Sequence, residues 1–326
     1  MRNMLLALVG LAGIAIAAAS YLSMPPARAL NEGARNAEAV DRARAAAGFA
    51  DPDAGIDDGL RATLITLFDG IGAALTRGDG EAAVAPVDYR AMLDETLTRF
   101  PELKLGARMR EQIGSGLKTR QATQQAGFSE VFNWQRSEIR RVERLSEGRL
   151  LVYARHFSET LGVTYFRRWW LLPGEDGWRI YDAEIVEVGM RESTGLAFGL
   201  LAAQSKSPEQ HEFWKSLGAM MAAFTGGEVG TTRRALTRID LAKLPDEFAA
   251  LMGFFHAVIA AAVREHAEAL RASAAAKTRA RGPMPQLLLL DANQLNLLGR
   301  HAEALALTER FVSLLGPSEE ALSEKG

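Results

Sequence analysis

The chain of 326 residues contains no cysteine. That absence excludes disulfides, thiolate catalysis and any zinc or iron–sulfur site built on cysteine. It selects no compartment, because exported proteins can lack cysteine too. An excess of either charge is also missing: 38 basic and 40 acidic residues leave a net charge of −2. With no basic surplus or tail to neutralise phosphates, a nucleic-acid partner is not expected. The five histidines, His156, His211, His256, His266 and His301, form no HxH or HExxH pair. No metal site is therefore expected. No GxSxG elbow and no GK[ST] phosphate loop occurs, so neither a serine hydrolase nor a nucleotide cofactor is implied.

What the chain does have begins at its start. Met4 to Leu22 is an uncharged run of 19 residues, which at about 1.5 Å per residue roughly crosses a bilayer core. Residues 1–24 are read as a transmembrane anchor, with a cleaved signal peptide as the alternative, since the run ends in the small residues AAAS. No cysteine follows, which excludes a lipoprotein anchor. Arg2 and the terminal amine compete with Arg28 and Arg35, so orientation is weakly set. The expectation is a protein held in the cell envelope by residues 4–22, its soluble part on the periplasmic side. Residues 25–55, opened by two prolines and rich in alanine, read as a spacer.

Folded sequence is expected in two parts, 56–192 and 193–326. Leu60, Leu64, Leu67, Ile71 and Leu75 recur at helical spacing until the turn Arg77-Gly78-Asp79-Gly80. A second helix is predicted over 89–99, and a third, polar and glycine-interrupted, over MREQIGSGLKTRQATQQ. From Phe128 the period changes. Aromatic and branched runs separated by SEG, ETLG and GEDG predict successive antiparallel strands. On one of them Tyr165, Arg167, Trp169 and Leu171 face one way, while Phe166, Arg168, Trp170 and Leu172 face the other. Neither face is wholly polar, so helices are expected on one side and at least a partial cover on the other. After Met190 the chain returns to helix. One is introduced by Ser207-Pro208, and a long one runs from Asp246 to Arg279. A terminal hairpin turns at Gly299 and ends at Gly316-Pro317. The uncharged stretch Phe248 to Val263 has 16 residues, is flanked by charge and contains His256; it reads as a buried central helix. Along one continuous helix His256 and His266 would stand roughly 80° and about 15 Å apart, too far to share an ion.

Three features of residues 56–190 resemble the NTF2-like superfamily, the cone-shaped fold of the SnoaL and ketosteroid isomerase type. An early helix ends in AALTRGDGEAAVAPV, further helices follow it, and the closing hairpin WWLLPGEDGWRIYDAEI carries Trp178, Ile180 and Asp182 at the positions typical of that superfamily's last strand. The resemblance implies an α+β cone, helices packed on a curved antiparallel sheet, here followed by an all-helical domain. It covers about 40% of the chain and says little about activity, because the fold hosts enzymes, binding modules and assembly domains alike. Leu298-Gly299-Arg300 followed by Glu303-Ala304-Leu305 is similar to one tetratricopeptide unit, with Phe311 bulkier than usual and Pro317 one residue late.

Enzymes of the NTF2-like type place a carboxylate or histidine in the cone, with an acid or tyrosine partner. The resemblance thus nominates Tyr153, His156 and Asp182 as a catalytic set, and Arg167, Trp169, Trp170, Tyr181 and Glu184 as binding residues. Tyr153 and Arg155 share a strand face and His156 lies on the other, while Asp182 and Glu184 share a face of the closing strand. The plainer reading makes the tyrosines core-edge residues, pairs Arg167 with a cross-strand carboxylate, and gives Trp169 and Trp170 to packing on opposite faces. The expected role is a non-catalytic, membrane-tethered binding or scaffold protein. A protein partner would use the C-terminal helices, or a small apolar ligand would use the cone, and no cofactor is needed. The alternative is an isomerase- or hydratase-like enzyme acting on a small apolar substrate in the cone.

Overall fold

Aspartates start the first three helices of the computed structural model, which describes residues 56–128, 133–158, 163–187 and 189–315. Asp57 precedes α1 (Asp58–Thr76), Asp79 precedes α2 (Gly80–Val84) and Asp88 precedes α3 (Tyr89–Arg99). Each carboxylate accepts from the amide N–H three residues on, at 2.9, 3.0 and 2.9 Å. Such a cap stabilises a helix by about 1 kcal/mol. The polar stretch that follows forms α4 (Ala107–Phe128).

The strands are β1 (Arg136–Arg144), β2 (Leu150–Ser158), β3 (Val163–Gly174), β4 (Gly177–Ile185) and the short β5 (Met190–Arg191). They pair in chain order as a five-stranded antiparallel meander. Val87 adds a parallel bridge to Ile180, so the turn after α2 is tied to the closing strand. The chain is therefore α+β.

Strand alternation divides the sheet. Val152, Ala154, Trp169, Leu171, Ile180 and Ala183 form a first face, packed under Leu64, Phe68, Ile71 and Leu75 of α1. Burying each large side chain in that layer contributes about 2 kcal/mol. Trp134 closes the layer, with Nε1–H donating to the Phe68 carbonyl at 3.0 Å. Only glycine fits at position 72, because a Cβ there would collide with the Trp134 carbonyl and indole. Leu151, Tyr153, Phe166, Trp170 and Tyr181 form the second face. Tyr181 joins it through a bulge: Trp170 pairs with Asp182 but Leu171 pairs with Ile180, so Tyr181 is the extra residue.

The rest of the described residues are mainly helical: α5 (Glu192–Ala203), α6 (Pro208–Thr225), α7 (Val229–Leu236), α8 (Asp246–Ala262), α9 (His266–Arg279), α10 (Gln286–Leu297) and α11 (His301–Leu315). Leu288, Phe311, Val312 and Leu315 of the last two cover the second face of the sheet. Leu93, Phe100, Leu103 and Leu105 pack with Phe198, Leu217, Phe248 and Phe255 in one cluster. Residues on both sides of position 192 thus share a core.

The long helix expected from Asp246 to Arg279 is two helices. The chain turns at Arg264, whose φ of 63° is left-handed, and Glu265 N–H donates back to the Ala260 carbonyl at 2.9 Å. This is a helix-ending turn of the Schellman type, with arginine where glycine is usual. The missing glycine is why the sequence pattern runs straight through the corner. After it α8 and α9 pack so closely at Gly253 that a Cβ there would lie 2.9 Å from the Ala276 Cβ.

The expected architecture included a transmembrane helix, and that feature is corrected. Among the described residues no helix is long and apolar enough to cross a membrane. The run at 4–22 and the spacer at 25–55 lie outside the described residues.

Because an L-residue in the left-handed region is strained by about 1–2 kcal/mol, Arg264→Gly is expected to raise stability by about 1 kcal/mol in urea unfolding. An unchanged or lower midpoint would contradict the strained corner.

Candidate functional site

Two hollows flank the sheet, and the eight residues singled out from sequence divide between its two faces. His156, Arg167 and Trp169 belong to the first face. There Trp169 Nε1–H donates to His156 Nε2 at 3.0 Å, which places the ring proton on Nδ1, facing Ser137 Oγ at 3.0 Å. Phe68, Trp134, Tyr165 and Trp169 surround the ring. Burial, with Arg167 nearby, pushes the His156 pKa well below its ordinary value of 6.5. Both nitrogens are satisfied and the ring is fully buried, so it holds the core together. Arg167 does not pair with a cross-strand carboxylate. Its guanidinium lies over the rings of Trp134 and Trp169, at 5.3 and 5.0 Å, and its cross-strand neighbours are Ala154 and Ile185. The open space left on this face is about 40 Å³, room for little more than a water molecule or two. Glu192, exposed at its mouth, was not nominated from sequence.

Tyr153, Trp170, Tyr181, Asp182 and Glu184 serve the second face, where charges are buried in pairs. Asp182 is 0% exposed. It accepts from its own neighbour Ala183 N–H and from Ser193 N–H at 3.0 Å each, and from Ser193 Oγ at 2.5 Å. Arg191 adds Nε–H at 2.7 Å and an Nη2 contact at 2.6 Å. The same arginine reaches Glu95 of α3 at 2.9 Å and lies flat over Trp170 at 3.9 Å. Arg168 donates to both oxygens of Glu184, at 2.7 and 2.6 Å. Burial opposes the Arg168 charge, but Glu184 and the Tyr153 hydroxyl outweigh it and hold the guanidinium above its ordinary range. Arg99 of α3 pairs with Glu247 of α8 and bonds Ser193 Oγ. Its burial, and the like charge of Arg191, bring its pKa down to about 10, still cationic at neutral pH.

These pairs floor a cleft of about 330 Å³. Leu151, Arg168, Trp170 and Glu184 come from the sheet, Glu95 and Arg99 from α3, and Glu247 and Leu251 from α8. The connection 280–284 forms the remaining wall, with Arg281 donating to the Arg99 carbonyl at 2.9 Å. Sequence reasoning did not single out Arg99, Arg191, Ser193, Glu247 or Arg281. For the charged ones the only signal is a charge next to an apolar residue, as at Arg99 before Phe100 and Glu247 before Phe248, and Ser193 carries no signal at all.

The structure therefore does not assemble Tyr153, His156 and Asp182. The sheet itself separates His156 from the other two. A third hollow, about 640 Å³, lies at the α8–α9 corner and brings His256 and His266 to one wall, which a continuous helix would forbid. Its pairs, such as Arg233 with Glu265 at 2.7 Å, are 49% and 41% exposed, so they are weakened by solvent. Among the described residues no group of three or more metal-capable side chains converges. Compared with known proteins, the chain matches no family model, no curated protein and no solved structure.

Two outcomes are expected. Asp182→Asn leaves Arg191 with Glu95 as its remaining carboxylate and weakens the charge-assisted hydrogen bonds at this position, a loss of about 1.5–3 kcal/mol; a loss under about 1 kcal/mol on urea unfolding would contradict its central place. For His156 the sign follows from a depressed folded pKa. Below about 6.5 the unfolded chain binds a proton that the folded ring refuses, so stability falls with pH there by up to about 1.4 kcal/mol per unit. The ring proton signals of His156 should hold still from about pH 8 to 5 in an NMR titration. A midpoint near 6.5 would show that the ring is open to water.

Proposed function

We propose that this protein acts by binding a small molecule in the cleft between the second face of the sheet and the helical half, without catalysing a reaction on it. One observation carries the reading: a hollow of about 330 Å³ whose floor is a buried network of ion pairs, at the junction of the sheet with α3, α5 and α8. Ligand sites favour such junctions, with a few fixed polar groups set among apolar walls.

Two further observations support it against its rivals. An isomerase-like role would need an acid and a base within hydrogen-bonding reach of one substrate. The cone, at about 40 Å³, is filled by Trp134 and Trp169, and the nominated trio is split by the sheet. A scaffold role would draw on the apolar faces of α10 and α11, which turn Leu288, Phe311 and Leu315 onto the sheet. Residues 56–192 are taken as NTF2-like within this proposal. Its support is the order of helix, short helix, edge bridge at Val87, two helices and then the meander. The ligand thus sits on the opposite side of the sheet from the packed cone.

Native mass spectrometry of protein purified from its own cells tests the reading. The wild-type chain is expected to carry one small molecule, absent from an Arg168→Gln variant of unchanged circular dichroism. A bare wild-type mass, or a variant that keeps the molecule, would remove the support.

A further inference from the structure

The helical half uses one hairpin three times, and the hairpin tips carry an apolar surface that the cleft does not use. Gly227, Arg264 and Gly299 stand just past the ends of α6, α8 and α10, all left-handed, with φ of 70°, 63° and 74°. In each turn the next N–H, of Glu228, Glu265 or Arg300, donates back to the carbonyl of Ala223, Ala260 or Leu295, at 2.9, 2.9 and 2.8 Å. The second helix begins one residue later, at Val229, His266 or His301. One turn into it Thr232, Ala269 and Ala304 are buried. α9 and α11 even open on the same five residues, HAEAL. α8 packs on α7 and α10 on α9, so the hairpins stack as repeats do, with their tips along one edge.

Among the described residues five large apolar side chains are exposed, and three of them lie at these tips: Val263 directly before Arg264, and Leu297 and Leu298 directly before Gly299. Beside them is the hollow of about 640 Å³, whose rim runs from Leu236 of α7 through His256 and Arg264 to Leu298. A protruding leucine, Leu297 at 61% exposed, thus adjoins a hollow with leucines in its wall. Exposed apolar surface rimmed by charge marks an interaction site. The rim holds three ion pairs, Arg233 with Glu265, Arg271 with Glu268 and Arg300 with Glu303. A strongly acidic or basic partner gains little from charges already balanced. We propose that this edge pairs with the same edge of a second copy of the chain, across a two-fold axis. Knob and hole adjoin on one surface, so the rotation sets Leu297 of each copy into the hollow of the other, and the contact closes after two copies. The ion pairs exchange partners in the same rotation, Arg300 of one copy meeting Glu303 of the other. Arg264 stands outside these pairs, and one exposed charge per copy is screened by salt. The hollow and the cleft share no residue, so the pairing does not depend on what the cleft holds.

Sedimentation velocity of the full chain in mild detergent, from about 1 to about 100 µM, tests this. The wild type is expected to run as a dimer at the upper end of that range. Leu297→Glu, which sets a charge in the contact, is expected to raise the dissociation constant at least about tenfold. The side chain is largely exposed, so the variant keeps its fold, which circular dichroism checks. Met109→Glu, on the exposed surface of α4, serves as the control and should leave the dimer as it is. A wild type that stays monomeric at about 100 µM overturns the second copy as occupant. A dimer that Leu297→Glu leaves unchanged, or that Met109→Glu weakens as much, overturns the tips as its place.

Discussion

Asp182 is a carboxylate with no exposed surface, placed by a β-bulge at the point where the closing strand meets the helical half. A buried charge is tolerated only when its hydrogen-bonding capacity is filled. Filling that capacity here requires Ser193 at the start of α5 and Arg191 just before it. Arg191 in turn reaches back to Glu95 of α3, and Ser193 also receives Arg99, which joins Glu247 of α8. One carboxylate thereby fixes the sheet, the early helices and the late helices against one another. The cleft is the space this arrangement leaves above its own polar floor.

The two sides of the sheet solve the same packing problem differently. On the first face several polar groups are closed off in pairs, indole to imidazole, imidazole to hydroxyl, indole to backbone carbonyl, while Tyr165 Oη and Arg167 Nε are buried without a hydrogen-bond partner among the described residues. Aromatic rings fill what remains. On the second face the apolar cover from α10 and α11 stops short at the ion pairs, and water-accessible space persists beside Trp170. Closing one side and opening the other is what places the candidate site on the second face.

Much of this was legible in sequence, and the limits have physical causes. The helix over 89–99 and the strand alternation that sets Trp169 against Trp170 follow from spacing alone, because those elements have one clear period. The helix Glu192–Ala203 carries apolar residues on every side, as ESTGLAFGLLAA shows, so it offers no period to find. The corner at Arg264 lacks the glycine that marks such turns. Five of the eight nominated site residues serve the second face, because charged and aromatic residues on a strand are visible as exceptions. Their partners were not visible. Arg99, Glu95 and Glu247 reach the network from helices distant in the chain, and only the fold brings Arg99 and Asp182 within 3.7 Å. The bulge at Tyr181 has no sequence mark at all.

Hydrogen exchange on protein from its own cells, before and after its bound molecule is stripped away, tests the central claim most directly. The cleft account predicts that stripping speeds exchange at Ser193 and along 280–284, and leaves the amides of Trp134 and Tyr165 to Trp169 unchanged. Faster exchange confined to Trp134 and Tyr165 to Trp169, with Ser193 and 280–284 unmoved, would contradict it and return the site to the other side of the sheet.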